Sequence, residues 1–288
     1  MARDLVYLNG SIIPRAEARV SVEDRGFLFG DGVYEVLRAV RGRLFAENFH
    51  NERLERSLEG IRITLPESLP AHALSKIASD LLRENGLMGG EATVYMQVTR
   101  GVATRSHAYP SPAATPSIYI SVASFQPMVD LQKTGSVAVT QPDLRWGRCD
   151  LKTINLLPNV MAAQYAVEQG AFESILIRDG HITEGSRTNV FGVVGGALRT
   201  HPCNSLILPG ITRSVVENLC AELKIELDQT PMSTEEIPRL REMFISGTTT
   251  DVMPIVKLDG RPVGDGKPGE TTRRLQKILS DAIYSLAD

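Results

Sequence analysis

Apolar residues recur along the chain at two spacings, one typical of strands and one typical of helices. Short apolar runs at residues 5–8 and 12–13 flank Asn9-Gly10, a dipeptide typical of the turn in a β-hairpin. Residues 33–40 predict a further strand. Apolar residues return every three or four positions in five predicted helices, which contain Leu54, Leu74, residues 158–169, Val215 and Leu275. Because both patterns occur in both halves of the chain, we expect an α+β fold.

A stretch without periodicity separates two regions of mixed strands and helices. Residues 125–135 carry Pro127 and Gly135 and show neither spacing, which predicts a linker. We therefore expect a small N-terminal α/β domain over residues 1–124 and a larger C-terminal domain over residues 136–288.

The composition argues against several classes of protein. Of the 288 residues, 42% are hydrophobic and 23% are charged, which is typical of a globular chain. The net charge of −3, without a basic stripe, argues against a nucleic-acid partner. The apolar runs are shorter than the roughly 18 residues of a membrane span, and the polar Asn9-Gly10 comes too early for a signal peptide. The 3 cysteines suggest neither a disulfide framework nor a zinc motif, so we expect a cytoplasmic protein without a bound metal.

Two ionisable residues lie in settings that suit catalysis as well as ordinary structure. Lys152 is a charged residue within the apolar stretch 151–157. A lysine amine in such surroundings can form a Schiff base, although a surface lysine at the end of a strand fits the same pattern. Glu184 precedes a predicted strand, in a segment whose glycine, serine and asparagine residues are equally typical of a turn.

Other segments are weak signals when each is taken alone. Residues 210–213 open a predicted helix, and helix N-termini can bind anions, although most of them bind only water. Thr248 follows a predicted strand. Arg105 and His107 would point the same way on an extended segment, although a solvated loop explains them equally well. Gly30-Asp31-Gly32 is similar to the start of a dinucleotide loop, but a strand follows it where that loop requires a helix.

Taken together, these segments resemble the fold type IV pyridoxal-phosphate enzymes in their order and spacing. That family includes the branched-chain aminotransferases, the D-amino acid aminotransferases and the aminodeoxychorismate lyases. The resemblance covers nearly the whole chain, and residues 23–26, 29–36 and 148–152 are most similar to the D-amino acid aminotransferase branch. It implies a small N-terminal α/β domain, a larger C-terminal pseudo-barrel α/β domain, pyridoxal 5'-phosphate as the cofactor, and a homodimer.

The resemblance also implies which residues bind the cofactor. Lys152 matches the Schiff-base lysine, which shuttles the proton. Glu184 matches the acid that pairs with the pyridine nitrogen and so keeps the ring able to withdraw electrons. Arg53 matches the phosphate-binding arginine. The remaining cofactor residues match an apolar residue beneath the ring and three residues that hold the phosphate, namely Leu208, Ile211, Thr212 and Thr248.

A further set of residues matches the substrate site of the D-amino acid aminotransferases. In that branch Tyr34, Arg105 and His107 match the residues that capture the substrate carboxylate, and the neighbouring subunit supplies the last two. A guanidinium can hold a carboxylate in bidentate fashion, which turns the α-hydrogen of one enantiomer toward Lys152. The implied reaction transfers the amine of a D-amino acid, such as D-alanine, to 2-oxoglutarate and gives pyruvate and D-glutamate.

Alternative functions remain open from the sequence. A branched-chain or (R)-amine transaminase and an aminodeoxychorismate lyase belong to the same superfamily. A non-catalytic protein that binds the cofactor is a different class, but the presence of both Lys152 and Glu184 argues against it. The Arg105-Ser106-His107 segment favours the D-amino acid branch, because the other branches do not carry an arginine and a histidine with this spacing at this place.

Two positions depart from the family pattern. Gly247 stands where a hydroxyl residue is expected before Thr248, so one hydrogen bond to the phosphate is missing or comes from the backbone. Arg187 stands where a small residue is expected near the cofactor. It either adds a cation that favours dicarboxylate substrates or points to solvent, and we favour solvent.

Overall fold

The chain divides into two compact units, and each unit is described by itself. The structure is a computed structural model and describes residues 3–285. The first unit contains residues 3–126 and 151–155, and the second contains residues 127–150 and 156–285. The predicted domains also include residues 1–2 and 286–288, which lie outside the described residues. The limits of the two domains as independent folding units stay a prediction.

The first unit is built on an antiparallel sheet, whose strands pair in the order β2-β1-β6-β5-β3-β4. Its strands are β1 (Leu5–Leu8), β2 (Ser11–Pro14), β3 (Gly32–Val40), β4 (Arg43–Leu44), β5 (Glu91–Thr99) and β6 (Ser117–Ser124). Its helices are α1 (Arg25–Phe29), α2 (Glu47–Gly60) and α3 (Ala71–Glu84), and Arg15–Glu17 forms a short 3₁₀ turn.

The core of the first unit lies between this sheet and its two longer helices. Residues 92, 94, 96 and 98 of β5 are buried, because alternate side chains of a strand share one face. Leu54 and Leu58 of α2 pack in the same core as Leu74 and Leu81 of α3. These leucines repeat at the helical spacing that the sequence shows.

The second unit is built on a mixed sheet that curls into a half barrel. Its strands pair in the order β12-β11-β10-β13-β14-β7-β8-β9, and β15 pairs with β14. The strands are β7 (Ser136–Pro142), β8 (Glu173–Arg178), β9 (His181–Gly185), β10 (Asn189–Val194), β11 (Ala197–Thr200), β12 (Leu227–Asp228), β13 (Glu242–Gly247), β14 (Asp251–Leu258) and β15 (Arg261–Pro262). The helices are α4 (Val129–Thr134), α5 (Leu157–Glu168), α6 (Ile211–Glu222) and α7 (Glu270–Ser285), and Thr234–Arg239 is a 3₁₀ helix.

The structure confirms the α+β fold and several of the predicted elements. Asn9-Gly10 forms the β1–β2 turn with φ angles of 48° and 99°, the left-handed conformation that this type of turn requires. The strand predicted at residues 33–40 is β3. None of the helices within residues 3–285 combines the length and the apolar character that crossing a bilayer requires.

The segment predicted as a linker contains a helix. Residues 129–134 form α4, and Leu131 packs against the core of the second unit. The amide of Gln132 donates to the carbonyl oxygen of Thr250 at 3.2 Å. The short segment lacks visible periodicity because a few such tertiary contacts, rather than a long apolar stripe, hold it in place.

Candidate active site

Glu184 is a buried carboxylate at the centre of a group of polar contacts in the second unit. It lies in β9 with 5% of its surface exposed. Its Oε1 accepts a short hydrogen bond from Nη1 of Arg145. Its Oε2 accepts from the side-chain amide of Asn189 at 2.9 Å and from the backbone N–H of Leu208 at 3.0 Å. An ionised carboxylate offers about four acceptor positions, so these three bonds leave room for one more donor.

Arg145 is itself fixed by a second carboxylate. Its Nε and Nη2 donate to the two oxygens of Asp143, at 2.9 and 2.8 Å. Asp143 also accepts a hydrogen bond from the hydroxyl of Thr183 at 3.0 Å. Thr183 is the residue that directly precedes Glu184. Burial raises the pKa of Glu184 to about 7, even though the guanidinium of Arg145 favours the ionised form. A neighbouring positive charge therefore strongly favours the ionised form of the Glu184 carboxylate.

The segment from Leu208 to Thr212 is held against Glu184 by Asn189. The amide of Asn189 donates to the carbonyl oxygen of Leu208 at 2.8 Å as well as to Glu184. A side chain at position 210 would place its Cβ 2.1 Å from the Asn189 amide oxygen, so this position requires Gly210. Helix α6 begins at the next residue, Ile211.

The start of α6 can bind an anion. Gly210 has no side chain with which to cap the helix, so the first backbone N–H groups, at Ile211 and Thr212, are left for another acceptor. These groups point out of the positive end of a 12-residue helix. The combination of Glu184 and this helix start suits a molecule that carries both a protonated ring nitrogen and a phosphate.

Thr248 lies in the turn between β13 and β14, beside the same strand as Asn189. Strands β10 and β13 are paired, and Asn189 lies opposite Ser246. A Cβ at Gly247 would lie 3.6 Å from the side chain of Thr188, which is an ordinary contact. Packing therefore does not require the glycine that departs from the family pattern.

Lys152 belongs to the first unit, where the start of β3 holds its backbone. Its carbonyl oxygen accepts from the N–H of Tyr34 at 2.9 Å, and its own N–H donates to the hydroxyl of Ser57 at 3.1 Å. The N–H of Ile154 donates to the carbonyl oxygen of Gly32 at 3.0 Å. These bonds explain why residues 151–155 join the first unit, although the sequence places them in the second domain.

The Lys152 amine lies over the ring of Tyr34. Its Nζ is 4.2 Å from the ring centroid, within the range of a cation–π interaction. The structure thus brings together two of the residues that the sequence predicts for the site.

Arg53 is buried in α2 and is oriented by Glu35 of β3. Its Nε and Nη2 donate to the two carboxylate oxygens of Glu35, at 2.7 and 2.8 Å. Nδ1 of His50 lies 2.7 Å from the same carboxylate. Burial opposes ionisation of Glu35, but Arg53 and His50 outweigh it and lower the pKa of Glu35 to about 2. Burial also lowers the pKa of His50, so we infer a neutral imidazole whose Nδ1–H donates to Glu35.

Arg105 and His107 lie together in the loop that connects β5 to β6. Both are exposed, and both contact the ring of Phe29: the guanidinium carbon of Arg105 is 5.2 Å from the ring centroid, and the His107 ring centroid is 5.6 Å away. The two side chains, which are two residues apart, therefore pack against the same aromatic ring in the first unit.

Comparison with known proteins assigns the chain to a family. A model of the class IV amino-transferases matches residues 32–258, which is most of the chain. The chain belongs to the class IV aminotransferases. A D-alanine aminotransferase of Staphylococcus haemolyticus is 41% identical over 280 residues, which are 97% of this chain and 98% of that protein. Another from Bacillus licheniformis is 40% identical and covers 97% of each chain.

A solved structure of this class has the same fold. The branched-chain amino acid aminotransferase of Escherichia coli superposes with a TM-score of 0.88 at 26% identity, over 97% of this chain and 94% of that one. The class IV aminotransferases use pyridoxal phosphate, and this chain is accordingly a pyridoxal-phosphate-dependent transaminase that acts on small amino and keto acids.

The residues present fit this cofactor on two observations from the second unit. The buried Glu184 has an acceptor position left for a ring N–H, and burial makes its ionised form depend on a neighbouring positive charge. The glycine at the start of α6 leaves backbone donors for a phosphate.

The structure also shows where Arg187 points. The side chain is exposed, and its guanidinium lies 5.3 Å from the centroid of the Phe172 ring. The orientation towards solvent that the sequence favours is therefore the one observed.

The sequence did not identify the residues that hold the predicted site residues in position. Arg145, Asn189, Glu35 and His50 were not singled out. One available signal was Glu35, a charge in the mostly apolar strand β3, since such a charge needs a buried partner. Another was the acid–base spacing of Asp143 and Arg145 after β7.

The low pKa of Glu35 predicts how stability depends on pH. The pKa falls from 4.5 to about 2 on folding, so the ion pair stabilises the fold above about pH 5 and loses this effect as the pH falls towards 2. We expect Glu35→Gln to lower the free energy of unfolding by about 3 kcal/mol at pH 7, and the difference from the wild type to shrink with acid. Urea unfolding followed by circular dichroism measures this difference.

The exposed Glu52→Gln variant in the same helix is the matched control. It should change stability by less than about 0.5 kcal/mol. A Glu35→Gln difference that stays constant between about pH 7 and pH 3 would contradict the ion pair as its cause.

Proposed function

We propose that the chain transaminates D-amino acids such as D-alanine, with 2-oxoglutarate as the amine acceptor, to give pyruvate and D-glutamate. The observation that carries the proposal is the Arg105–His107 pair on the ring of Phe29. It is supported by relatives named D-alanine aminotransferase at 40 to 41% identity over nearly the whole chain.

Lys152 and Glu184 have the two chemical tasks in this proposal. Bound pyridoxal phosphate supplies an electron sink for the carbanion at the substrate Cα. Lys152 Nζ anchors the cofactor and moves the proton to and from Cα as general base and acid. Glu184 holds a proton on the ring nitrogen, and Arg145 holds this carboxylate in place and favours its ionised form.

The other residues predicted to bind the cofactor would orient its phosphate and its ring. Arg53, aligned by Glu35, and the start of α6 at Ile211 and Thr212 would bind the phosphate, together with Thr248. Leu208 would lie beneath the ring, and its N–H bond to Glu184 ties this apolar contact to the carboxylate.

Arg105, His107 and Tyr34 would bind the substrate carboxylate. A carboxylate held at one side of the site fixes which substituent of Cα faces Lys152, and only one enantiomer then presents its hydrogen there. This arrangement is the physical basis of the proposed selectivity for D-amino acids.

A branched-chain transaminase is the second candidate. It is favoured by the likeness to the Escherichia coli branched-chain enzyme, which is a likeness of fold at 26% identity. The Arg105–His107 pair argues against it, because the resemblance associates an arginine and a histidine with this spacing with the D-amino acid branch.

We also propose a homodimer in the cytoplasm, in which the partner subunit's Arg105 and His107 complete the site. Helix α5 supports this, because Leu157, Val160, Met161 and Tyr165 repeat at helical spacing and are 37 to 68% exposed. An apolar face of this kind is usually covered in an assembly. Light scattering of the holoenzyme measures its mass, and a monomer of 31.5 kDa would contradict the dimer.

The substrate assignment predicts which amino acids react. We expect the enzyme to form pyruvate from D-alanine and 2-oxoglutarate, with L-alanine reacting at least about a hundredfold more slowly, since a difference of about 2.7 kcal/mol in barrier has this effect. Coupled assay of pyruvate measures both rates. Lys152→Ala is the matched blank and should lose nearly all turnover. Faster reaction of L-alanine than of D-alanine would contradict the proposal.

The carboxylate role of Arg105 predicts a change in specificity. A charge-assisted contact is worth about 1.5–3 kcal/mol, so Arg105→Met should lower kcat/KM for D-alanine by roughly tenfold to a hundredfold. Turnover of (R)-1-phenylethylamine, which lacks a carboxylate, should fall much less. Arg83→Met, at an exposed site in α3, is the control. An unchanged ratio of the two kcat/KM values would favour an amine transaminase instead.

A further inference from the structure

The ring of Phe29, the last residue of α1, contacts both side chains of the Arg105–His107 pair. Its centroid lies 5.2 Å from the guanidinium carbon of Arg105 and 5.6 Å from the ring centroid of His107. A cation over an aromatic face is favoured over the other positions that an exposed arginine samples. One ring therefore restricts two side chains that lie two residues apart.

Arg25 holds the peptide between these two side chains. Its Nη1 donates to the carbonyl oxygen of Ser106 at 2.6 Å, and its Nε donates to Asp31 at 2.8 Å. Arg25 is buried, and its guanidinium carbon lies 4.8 Å from the centroid of the Phe29 ring. Because a guanidinium is a rigid fork of donors, the bond to Asp31 fixes the direction in which Nη1 points.

Asp31 links this contact to a second point of the same loop. Arg100 donates to Asp31 from Nε and Nη2 at 2.8 and 3.0 Å, and its guanidinium carbon lies 3.6 Å from the centroid of the Tyr109 ring. Burial raises the pKa of Asp31, but the hydrogen bonds from Arg100 and Arg25 outweigh it and hold this pKa below its usual value. The ionised Asp31 thus orients Arg25, which binds Ser106, and Arg100, which packs on Tyr109. These two contacts lie on either side of His107 in the loop.

These contacts act on a long and exposed loop. Residues 100–116 connect β5 to β6, and the side chains of residues 105–109 are exposed to solvent. Loops of this length usually have a function of their own. A binding residue that is already held in position loses less conformational entropy when its ligand arrives, and the ligand then binds more tightly.

We propose that Arg25 and Phe29 are positioning residues, which fix Arg105 and His107 for the substrate carboxylate while Asp31 orients Arg25. The inference rests on the proposed function, which assigns carboxylate binding to this pair. Since Arg25 and Phe29 act through the pair, their loss should weaken substrate binding and leave the chemical step nearly unchanged. A merely structural role would instead lower the amount of folded holoenzyme without this division between KM and kcat.

The test is a set of variants made in two backgrounds. In the wild-type background, we expect Phe29→Leu to raise the KM for D-alanine by roughly threefold to tenfold and Arg25→Met by roughly tenfold or more, with kcat changed less than about twofold. Phe29→Tyr keeps the ring and should keep the wild-type KM. Phe27→Leu, at an exposed phenylalanine of the same helix, is the matched control.

The second background removes the side chains that are positioned. In the wild type, Phe29→Leu should lower kcat/KM for D-alanine by roughly threefold to tenfold; in the Arg105→Met, His107→Leu double variant, it should change the same quantity, measured in single turnover at subsaturating D-alanine, by less than about twofold, because coupled residues are not additive. Equal effects of Phe29→Leu in the two backgrounds, or an effect no larger than that of Phe27→Leu, would overturn the inference.

The same measurements separate this inference from the proposed function. If Arg105→Met itself leaves kcat/KM for D-alanine unchanged, the proposed carboxylate role fails and the positioning role fails with it. If Arg105→Met weakens D-alanine use and Phe29→Leu does not, only the positioning role fails. Should Arg25→Met not fold, as judged by its circular dichroism, Phe29→Leu decides the question, because it removes an aromatic ring and keeps both charged partners of the Arg25–Asp31 ion pair.

Discussion

The candidate site depends on one physical constraint, the removal of the Glu184 carboxylate from water. A buried charge is costly unless an opposite charge and hydrogen bonds replace the water that it loses. Arg145, Asn189 and the N–H of Leu208 provide these replacements. Other features follow from them: Asp143 is needed to align Arg145, and Gly210 is needed because any side chain there would displace Asn189.

The first unit meets the same constraint in the same way. Glu35 is buried in a strand, and it is compensated by Arg53 and His50 from the helix that packs on that strand. Asp31 is compensated by Arg25 and Arg100. In each case a carboxylate fixes an arginine, and the arginine or its neighbours are the residues for which we propose a task. The proposed phosphate and carboxylate contacts are thus aligned by ion pairs within the protein itself.

The sequence predicts the helices and strands better than it predicts which side chains contact one another within the site. The β1–β2 hairpin and β3 follow from local turn chemistry and apolar spacing, and the structure confirms both. The resemblance to a family singled out Lys152 and Glu184, and their roles stay predictions. Arg145 and Glu184 are 39 positions apart, and no local pattern joins them, so only the paired strands bring them together. Helix α4 was missed for a related reason, because contacts from distant residues stabilise it.

The most direct test of the account is the protonation state of the cofactor ring nitrogen. The holoenzyme can be reconstituted with pyridoxal phosphate labelled with ¹⁵N at the ring and observed by solid-state NMR. Because the ionised Glu184 stabilises a neighbouring positive charge, we expect a protonated nitrogen in the wild type at neutral pH and an unprotonated one in Glu184→Gln. A nitrogen that is unprotonated in the wild type, or unchanged in the variant, would contradict the central role of this carboxylate.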